Sequence, residues 1–336
     1  MSGPLSHIRV LDLSRIMAGP WCGQILADLG AEVIKIERLE AGDDTRQWGP
    51  PFLSDSDGRQ TNESGYYLSV NRGKKSVEID LKTSEGVAVI IALSRRCDIL
   101  LENFKTGTLD RMGLGYDALK LINPRLIYCS ITGFGLTGPR AADAAYDFMI
   151  QGMGGLMSVT GAPDSQAGGG PQKVGIPIVD IMTGMYAAIG SLAALANLDQ
   201  TGQGDHIDLS MLDVSVAMLA NQAMNYIVSG NVPHRRGNSH PNIQPQNVYP
   251  VSDGYIVLAV GNDGQFVKFA EVIGHPDLAT DLKFSTNAAR VTHLRELEKI
   301  MIESLSKKTI DEWVELFSQV GVPSGPINTI DRVFEE

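Results

Sequence analysis

The stretch IRVLDLSRIMAGPWCGQILADLGAEVIKIE, residues 8–37, decides the fold class. IRVLDLS (8–14) carries the apolar pattern of a strand, AGPWCGQILADLG (18–30) that of a helix ending at Gly30, and AEVIKIE (31–37) that of a second strand. Strand, helix and strand in this order make a βαβ crossover. The unit recurs as SVEIDL (76–81), the helix EGVAVIIALSRR (85–96) and DILLENF (98–104), after which YDALKLINP leads into RLIYCSIT (125–132). The pattern predicts an α/β chain with a parallel sheet covered by helices, a Rossmann-like large domain. Ligands in such sheets bind outside the carboxyl ends of the strands.

Beyond residue 135 the texture loosens. Residues 135–178 are rich in Gly, Pro and Ala, and GAPDSQAGGGPQK (161–173) reads as a loop. Helical runs follow at 183–198 and 210–229; the second is apolar nearly all round and belongs in a core or an interface. From 230 a strand (255–260) follows the turn Ser252-Asp253-Gly254, with amphipathic helices near 265–273, 293–306 and 309–319. The expected organisation is a large domain (1–200), a linker helix (201–229), a smaller α+β domain (230–325) and the start of a return segment (326–336).

Composition narrows the function. The 336 residues are 43% hydrophobic and 20% charged, as in a globular protein with a sizeable core. The longest apolar run, around 184–197, is interrupted by glycine and reads as too short for a membrane span. The N-terminus MSGPLSHIRVLDLS lacks a signal-peptide layout, so a cytoplasmic location is expected. Cys22, Cys97 and Cys129 are isolated, and the six histidines are scattered without a ligand spacing, so no metal site is expected. A net charge of −11 argues against nucleic acid as partner.

Two motifs bear on ligands. GFGLTG (133–138) matches GxGxxG, but Pro139 follows at once and the first βα turn reads SRIMAGP, so a nicotinamide site is not expected. Cations recur at strand ends and loops: Arg38 after Glu37, Arg72, Lys74 and Lys75 in VNRGKKS, and Lys105 and Arg111 in ENFKTGTLDRMG. On an acidic chain they point to a phosphate-rich nucleotide ligand.

A single carboxylate, Asp180, lies among apolar residues in GIPIVDIMTGMYAA (175–188). Three roles fit it: a helix N-cap, a buried acid paired with an arginine, or a catalytic group.

AGPWCGQILADLGAEVIKIER, YYLSVNRGKKSVEIDLK, ENFKTGTLDRMGLGYDAL, YCSITGFGLTGP and VDIMTGMYA together resemble the class III CoA-transferases, over residues 5 to about 330. The resemblance implies that Asp180 is the nucleophile. It implies coenzyme A contacts at Met17, Ala18, Arg38, Arg72, Gly73, Lys74, Lys75, Asn103, Phe104, Lys105, Arg111 and the Ala145-Tyr146-Asp147 segment. It also implies an acyl-CoA substrate with no permanently bound cofactor, and an interlocked homodimer. A racemase branch of the same fold pairs its aspartate with a histidine in Gly-His-Asp. Here that place reads Ala145-Tyr146-Asp147, which favours transfer over epimerisation of a 2-methylacyl-CoA. A non-catalytic acyl-CoA-binding protein is the third reading.

Two departures accompany the resemblance. RRGNSHPNI and VGNDGQF stand where formyl-CoA transferase has a polyglycine loop, and the chain stops at Glu336 where relatives carry a further tail. GDDTRQWGPPF (42–52), YCSITGFGLTGP and GNSHPNIQPQNVYP (237–250) look most like the succinyl-CoA:glutarate CoA-transferase branch. A dicarboxylate substrate keeps one free carboxylate, and Arg46 is the expected cation for it, the alternative being a surface pair with Asp43 or Asp44.

Overall fold

The computed structural model describes residues 3–335. Its contacts divide the chain into two compact units. One comprises residues up to Ser158 together with Lys173–Pro233; the other comprises Val159–Gln172 together with residues from His234 on. The first unit is thus interrupted, where an uninterrupted stretch to residue 200 was expected. Segment 159–172 joins the second unit because Gly237 N donates to Gly161 O at 3.0 Å and Arg235 pairs with Asp164.

The first unit contains strands β1 (Arg9–Asp12), β2 (Glu32–Glu37), β3 (Phe52–Ser54), β4 (Gln60–Ser64), β5 (Lys74–Glu78), β6 (Ile99–Glu102), β7 (Ile127–Thr132) and β8 (His206–Ser210). Six of them form a parallel sheet in the order β5-β2-β1-β6-β7-β8, while β3 and β4 pair antiparallel. The chain runs outward from β1 through β2 to β5, then returns to β6 and runs out the other way. The switch point therefore lies between the carboxyl ends of β1 and β6, where such folds take ligands.

Its helices are α1 (Ala18–Asp28), α2 (Gly65–Asn71), α3 (Ser84–Ser94), α4 (Thr108–Arg111), α5 (Tyr116–Ile122), α6 (Asp147–Met153), α7 (Leu156–Val159, whose last residue begins the other unit), α8 (Ile178–Thr201), α9 (Met211–Met218) and α10 (Ala220–Ser229). One core lies under α1 and α8 and is built on Val10, Val33, Ile99, Leu101, Ile127 and Cys129. The two helices approach to backbone contact at Gly184, where an added Cβ would lie 2.5 Å from Ala18 O. A second core on the other face joins Leu11, Leu13, Ile36, Leu100 and Tyr128 to Ile90 and Leu119.

Three differences from the sequence reading have physical causes. Strand β8 went unforeseen because HIDLS is half polar, as an edge strand with one open side allows. The run 210–229 is two helices, since Ala220 takes φ +42°. Helix α8, at 24 residues, is long and apolar enough to cross a membrane by length and composition. It begins earlier than expected, and its own Ala187, Ala188, Ala194 and Leu198 are buried in the core against the sheet, as in the central helix of a globular unit.

The second unit pairs β9 (Gln246–Val251) with β10 (Gly254–Ala259) across the expected turn and adds β11 (Ser324–Pro326). Helices α11 (Asp263–Val272), α12 (Asn287–Thr292), α13 (Leu294–Leu305), α14 (Ile310–Val320) and α15 (Ile330–Glu335) complete it. Its core is aromatic: Phe269 and Trp313 each stack on Phe317. Of the expected return segment, Glu336 lies outside the described residues.

Candidate active site

Asp180 is the third residue of α8, behind Pro177 at the N-cap. It is therefore not the cap. That work falls to Asp147, at the start of α6: its Oδ1 accepts from the backbone N–H groups of Val179 (2.8 Å) and Asp180 (3.2 Å). Its Oδ2 accepts from Gln151 Nε2 at 2.5 Å, and Gln151 Oε1 accepts from Val174 N at 2.9 Å. A carboxylate suits this place because orphan N–H groups and the helix dipole both favour negative charge. Asp147, expected among the coenzyme A contacts, is buried, and both its oxygens are engaged with protein.

The Asp180 carboxyl is raised to about 7, chiefly by burial and then by the neighbouring charge of Asp147. Tyr66 on α2 sits within the same field: burial first, then Asp180 and Asp147, push its phenol up to about 12. Its ring meets Trp48 edge-on at 5.0 Å.

Asp180 opens onto a cavity of about 210 Å³ at the switch point. The turn after β1 supplies Arg15, Ile16, Met17 and Ala18; the segment after β6 supplies Asn103, Phe104 and Lys105; Gly133 and Tyr146 also line it. Met17, Ala18, Asn103, Phe104, Lys105, Tyr146 and Asp180 are thus brought together. Arg15 was missed, although its place in SRIMAGP, just after the first strand, marks it. Ile16 has φ +71°, a strained conformation for a β-branched residue, costing about 1–3 kcal/mol.

A second cavity of about 660 Å³ lies beside the carboxyl ends of β2 and β5. Arg38 lines it with Ile79, Asp80, Leu81 and Lys82, and Arg15 and Phe104 line both cavities. Arg38 donates to Asp44 Oδ1 at 2.6 Å and to Gly42 O at 3.1 Å.

The other expected cations are elsewhere. Strand β5 starts at Lys74, two residues before the stretch read as strand, so the 72–75 segment falls at its amino end. There Arg72 pairs with Asp28 at 2.5 Å and Lys75 with Glu32 at 2.6 Å, and exposed Gly73 makes the turn with φ +77°. The Lys74 side chain is buried: its Nζ reaches Asp12 Oδ2 (2.9 Å), Pro20 O (2.8 Å) and Asn71 Oδ1 (3.0 Å). An ammonium so occupied cannot also grip a nucleotide. The reading of Arg72, Gly73, Lys74 and Lys75 as one cluster with Arg38 is corrected, and Lys82 takes that place. Arg111 donates to Thr108 Oγ1 at 3.1 Å and lines neither cavity.

Arg46 is corrected too. It forks onto Glu37, with Nε to Oε2 at 2.7 Å and Nη2 to Oε1 at 2.9 Å, and it donates to Tyr67 OH at 2.6 Å. Its guanidinium pairs with Glu37 and Glu63, and with neither the Asp43 nor the Asp44 carboxylate. Burial opposes ionisation of Glu37, but Arg46, Ser76, the Asp43 N–H and Tyr67 hold it down to about 2. The Arg46 guanidinium neutralises an interior carboxylate, which leaves it poorly placed to hold a substrate.

A family model described as CoA-transferase family III matches residues 5–336. The succinate–glutarate CoA-transferase of Agrobacterium fabrum is 49% identical over 333 residues, covering 99% of this chain and 82% of that protein. The human succinyl-CoA:glutarate CoA-transferase is 43% identical, covering 99% and 74%. Among solved structures, a CAIB/BAIF family protein from Brucella suis aligns with a TM-score of 0.87 at 49% identity, covering 100% of this chain and 87% of that one.

Proposed function

Because this chain belongs to CoA-transferase family III and is an enzyme that transfers CoA, we propose that it moves CoA from succinyl-CoA to a dicarboxylic acid such as glutarate, with Asp180 as nucleophile. The observation that carries the reading is Asp180 itself, a carboxylate at a helix N-terminus facing a cavity at the switch point. The names of the relatives at 42–49% identity support the substrate pair.

In the first step a carboxylate oxygen of Asp180 attacks the thioester carbonyl and the C–S bond breaks, giving an acyl-aspartyl anhydride and CoA thiolate. The thiolate attacks the aspartyl carbonyl and releases the donor acid, leaving an aspartyl-CoA thioester. The acceptor carboxylate then attacks this thioester, forming a second anhydride and freeing thiolate. Thiolate attack on the new acyl carbonyl gives product and restores Asp180. No net proton is consumed, but Asp180 must start ionised. Its apolar neighbours limit the water that would hydrolyse the anhydride.

Arg38 and Lys82 are assigned to the nucleotide end of CoA, whose binding energy positions the thioester. Arg15 and Lys105 are the cations lining the cavity of Asp180, and they are assigned to the second carboxylate of the acid. The chain works in the cytoplasm as an interlocked homodimer with no resident cofactor. The exposed apolar side chains of α10 (Met224, Tyr226, Ile227 and Val228) support a covered interface. Among the described residues lining the cavity of Asp180 there is no histidine, which supports transfer over two-base epimerisation.

The test is incubation with succinyl-CoA and a panel of acids, read by mass spectrometry of the CoA products. Hydroxylamine added during turnover should convert Asp180 to its hydroxamate, and Asp180→Ala should lose transfer while still binding CoA. Full activity in that variant would refute the assignment. Rapid exchange of the α-hydrogen of a 2-methylacyl-CoA in deuterated water would favour the racemase reading.

A further inference from the structure

The turn leaving β1 is held at nearly every peptide group. Ser14 N donates to Asp12 Oδ1 at 3.0 Å, and Ser14 O accepts from Lys35 Nζ at 2.9 Å. Arg15 N donates to Asn103 Oδ1 at 2.9 Å, and Arg15 O accepts from Asn103 Nδ2 at 2.7 Å. Ile16 N lies 3.3 Å from Asp43 Oδ2, and that carboxylate is ion-paired with Lys35 at 2.9 Å. The side chains of Asp12, Lys35 and Asp43 are all buried. Burying charges so completely is costly unless they are paired and hydrogen-bonded, as Asp12, Lys35 and Asp43 are, and such pairing fixes their positions.

What they surround is the residue whose backbone resists its position. Ile16 is β-branched at φ +71°, so an unrestrained turn would relax towards negative φ. That relaxation would re-aim Arg15 and Met17, both of which face the cavity of Asp180. Sub-ångström placement of such a wall matters, since a misplacement of about 1 Å can cost a hundredfold in rate.

We infer that Asn103 and Asp43 are positioning residues that clamp the strained Arg15–Ile16 turn against the cavity of Asp180, and that the Asn103 amide is spent on this turn and not on bound ligand. The catalytic consequence rests on the proposed role of Asp180; the clamp itself does not. Asn103 holds both ends of the Arg15 residue, N–H and C=O, so its loss frees the turn directly. Asp43 acts on the next N–H, with Thr45 N (2.9 Å) and Thr45 Oγ1 (2.7 Å) fixing its carboxylate.

The experiment compares Asn103→Ala in the wild type and in an Ile16→Gly background, because glycine adopts positive φ without strain. Amide hydrogen exchange of segment 13–18 reads the clamp, and kcat and KM for acyl-CoA read its consequence. In the wild type, Asn103→Ala should speed exchange across 13–18 and lower kcat about 20-fold or more, with KM changed by less than about threefold. In the glycine background the same substitution should cost less than about threefold in kcat. Asn103→Asp keeps the acceptor for Arg15 N and loses the donor to Arg15 O, and should fall between. Unchanged exchange at 13–18, equal losses in both backgrounds, or a loss confined to KM would each overturn the proposal. Hydroxamate formation at Asp180 in the wild type is scored separately. Its absence would remove the nucleophile assignment, while exchange at 13–18 would still decide the clamp.

Discussion

The Oδ1 atom of Asp147 accepts from the backbone N–H of Asp180 at 3.2 Å, so one carboxylate caps the helix turn that carries the other. The cap orients α8, and its charge opposes ionisation of Asp180 after burial has already done so. Asp147→Asn keeps an oxygen for the cap and removes the charge. The pH profile of kcat/KM should then rise at lower pH than in the wild type, whose inflection is expected near 7. At pH 6 the variant should show the larger fraction of its own plateau rate. Superimposable profiles would show that the charge of Asp147 is not felt at Asp180.

Asp180 also links stability to pH. Its carboxyl ionises near 3.8 in an unfolded chain and near 7 in the folded one, so between those values the folded state holds more protons. Stability therefore falls as pH rises through this window. Asp180→Asn removes the penalty. Its Tm should exceed that of the wild type by several degrees at pH 8, and the gap should close towards pH 4. A gap independent of pH would assign the effect to packing instead.

Arg46→Ala should report on the interior and not on substrate choice. Leaving Glu37 buried without its fork costs about 3–5 kcal/mol, the range for breaking a buried ion pair. Glu37 ionises near 2 when folded and near 4.5 when unfolded, so the ion pair contributes fully above 4.5 and is lost as pH falls towards 2. Urea denaturation at pH 7 and pH 3 should show the deficit of the variant shrinking on acidification. The ratio of glutarate to butyrate use should stay near that of the wild type; a selective loss of dicarboxylate use would return Arg46 to the substrate site.

The parallel sheet was legible because apolar strands and helices alternate over residues 8–37 and again over 76–132. Asp180 stood out because a charge among Ile178, Val179, Ile181 and Met182 demands an explanation. What could not be read was which charges pair with which. Glu37 takes Arg46 from nine residues on, and Asp12 takes Lys74 across 62 residues. Such pairs are set by how β1, β2 and β5 line up in the sheet and how the turn at 44–47 folds against it, which local patterning does not report. The strain at Ile16 is equally silent, since nothing in SRIMAGP marks a positive φ.

Strand register separates two lysines that sequence spacing makes look interchangeable. Lys75 pairs across β5 with Ile34 of β2 and points its ammonium to Glu32, at the amino edge of the sheet. Lys82 follows the carboxyl end of the same strand and lines the larger cavity with Arg38. Only the second can meet a ligand bound at the carboxyl ends of the strands. Arg38→Ala and Lys82→Ala should each weaken acyl-CoA binding about tenfold, the worth of one charge-assisted hydrogen bond. The loss should be smaller at high salt, where the wild type itself binds less tightly. Lys75→Ala should leave the dissociation constant within about twofold, because an exposed pair with Glu32 is worth little. Isothermal titration with CoA and dephospho-CoA completes the test: if Arg38 or Lys82 holds the 3′-phosphate, its alanine variant should bind the two alike. A tenfold loss in Lys75→Ala, with none in Lys82→Ala, would place the nucleotide at the opposite edge of the sheet.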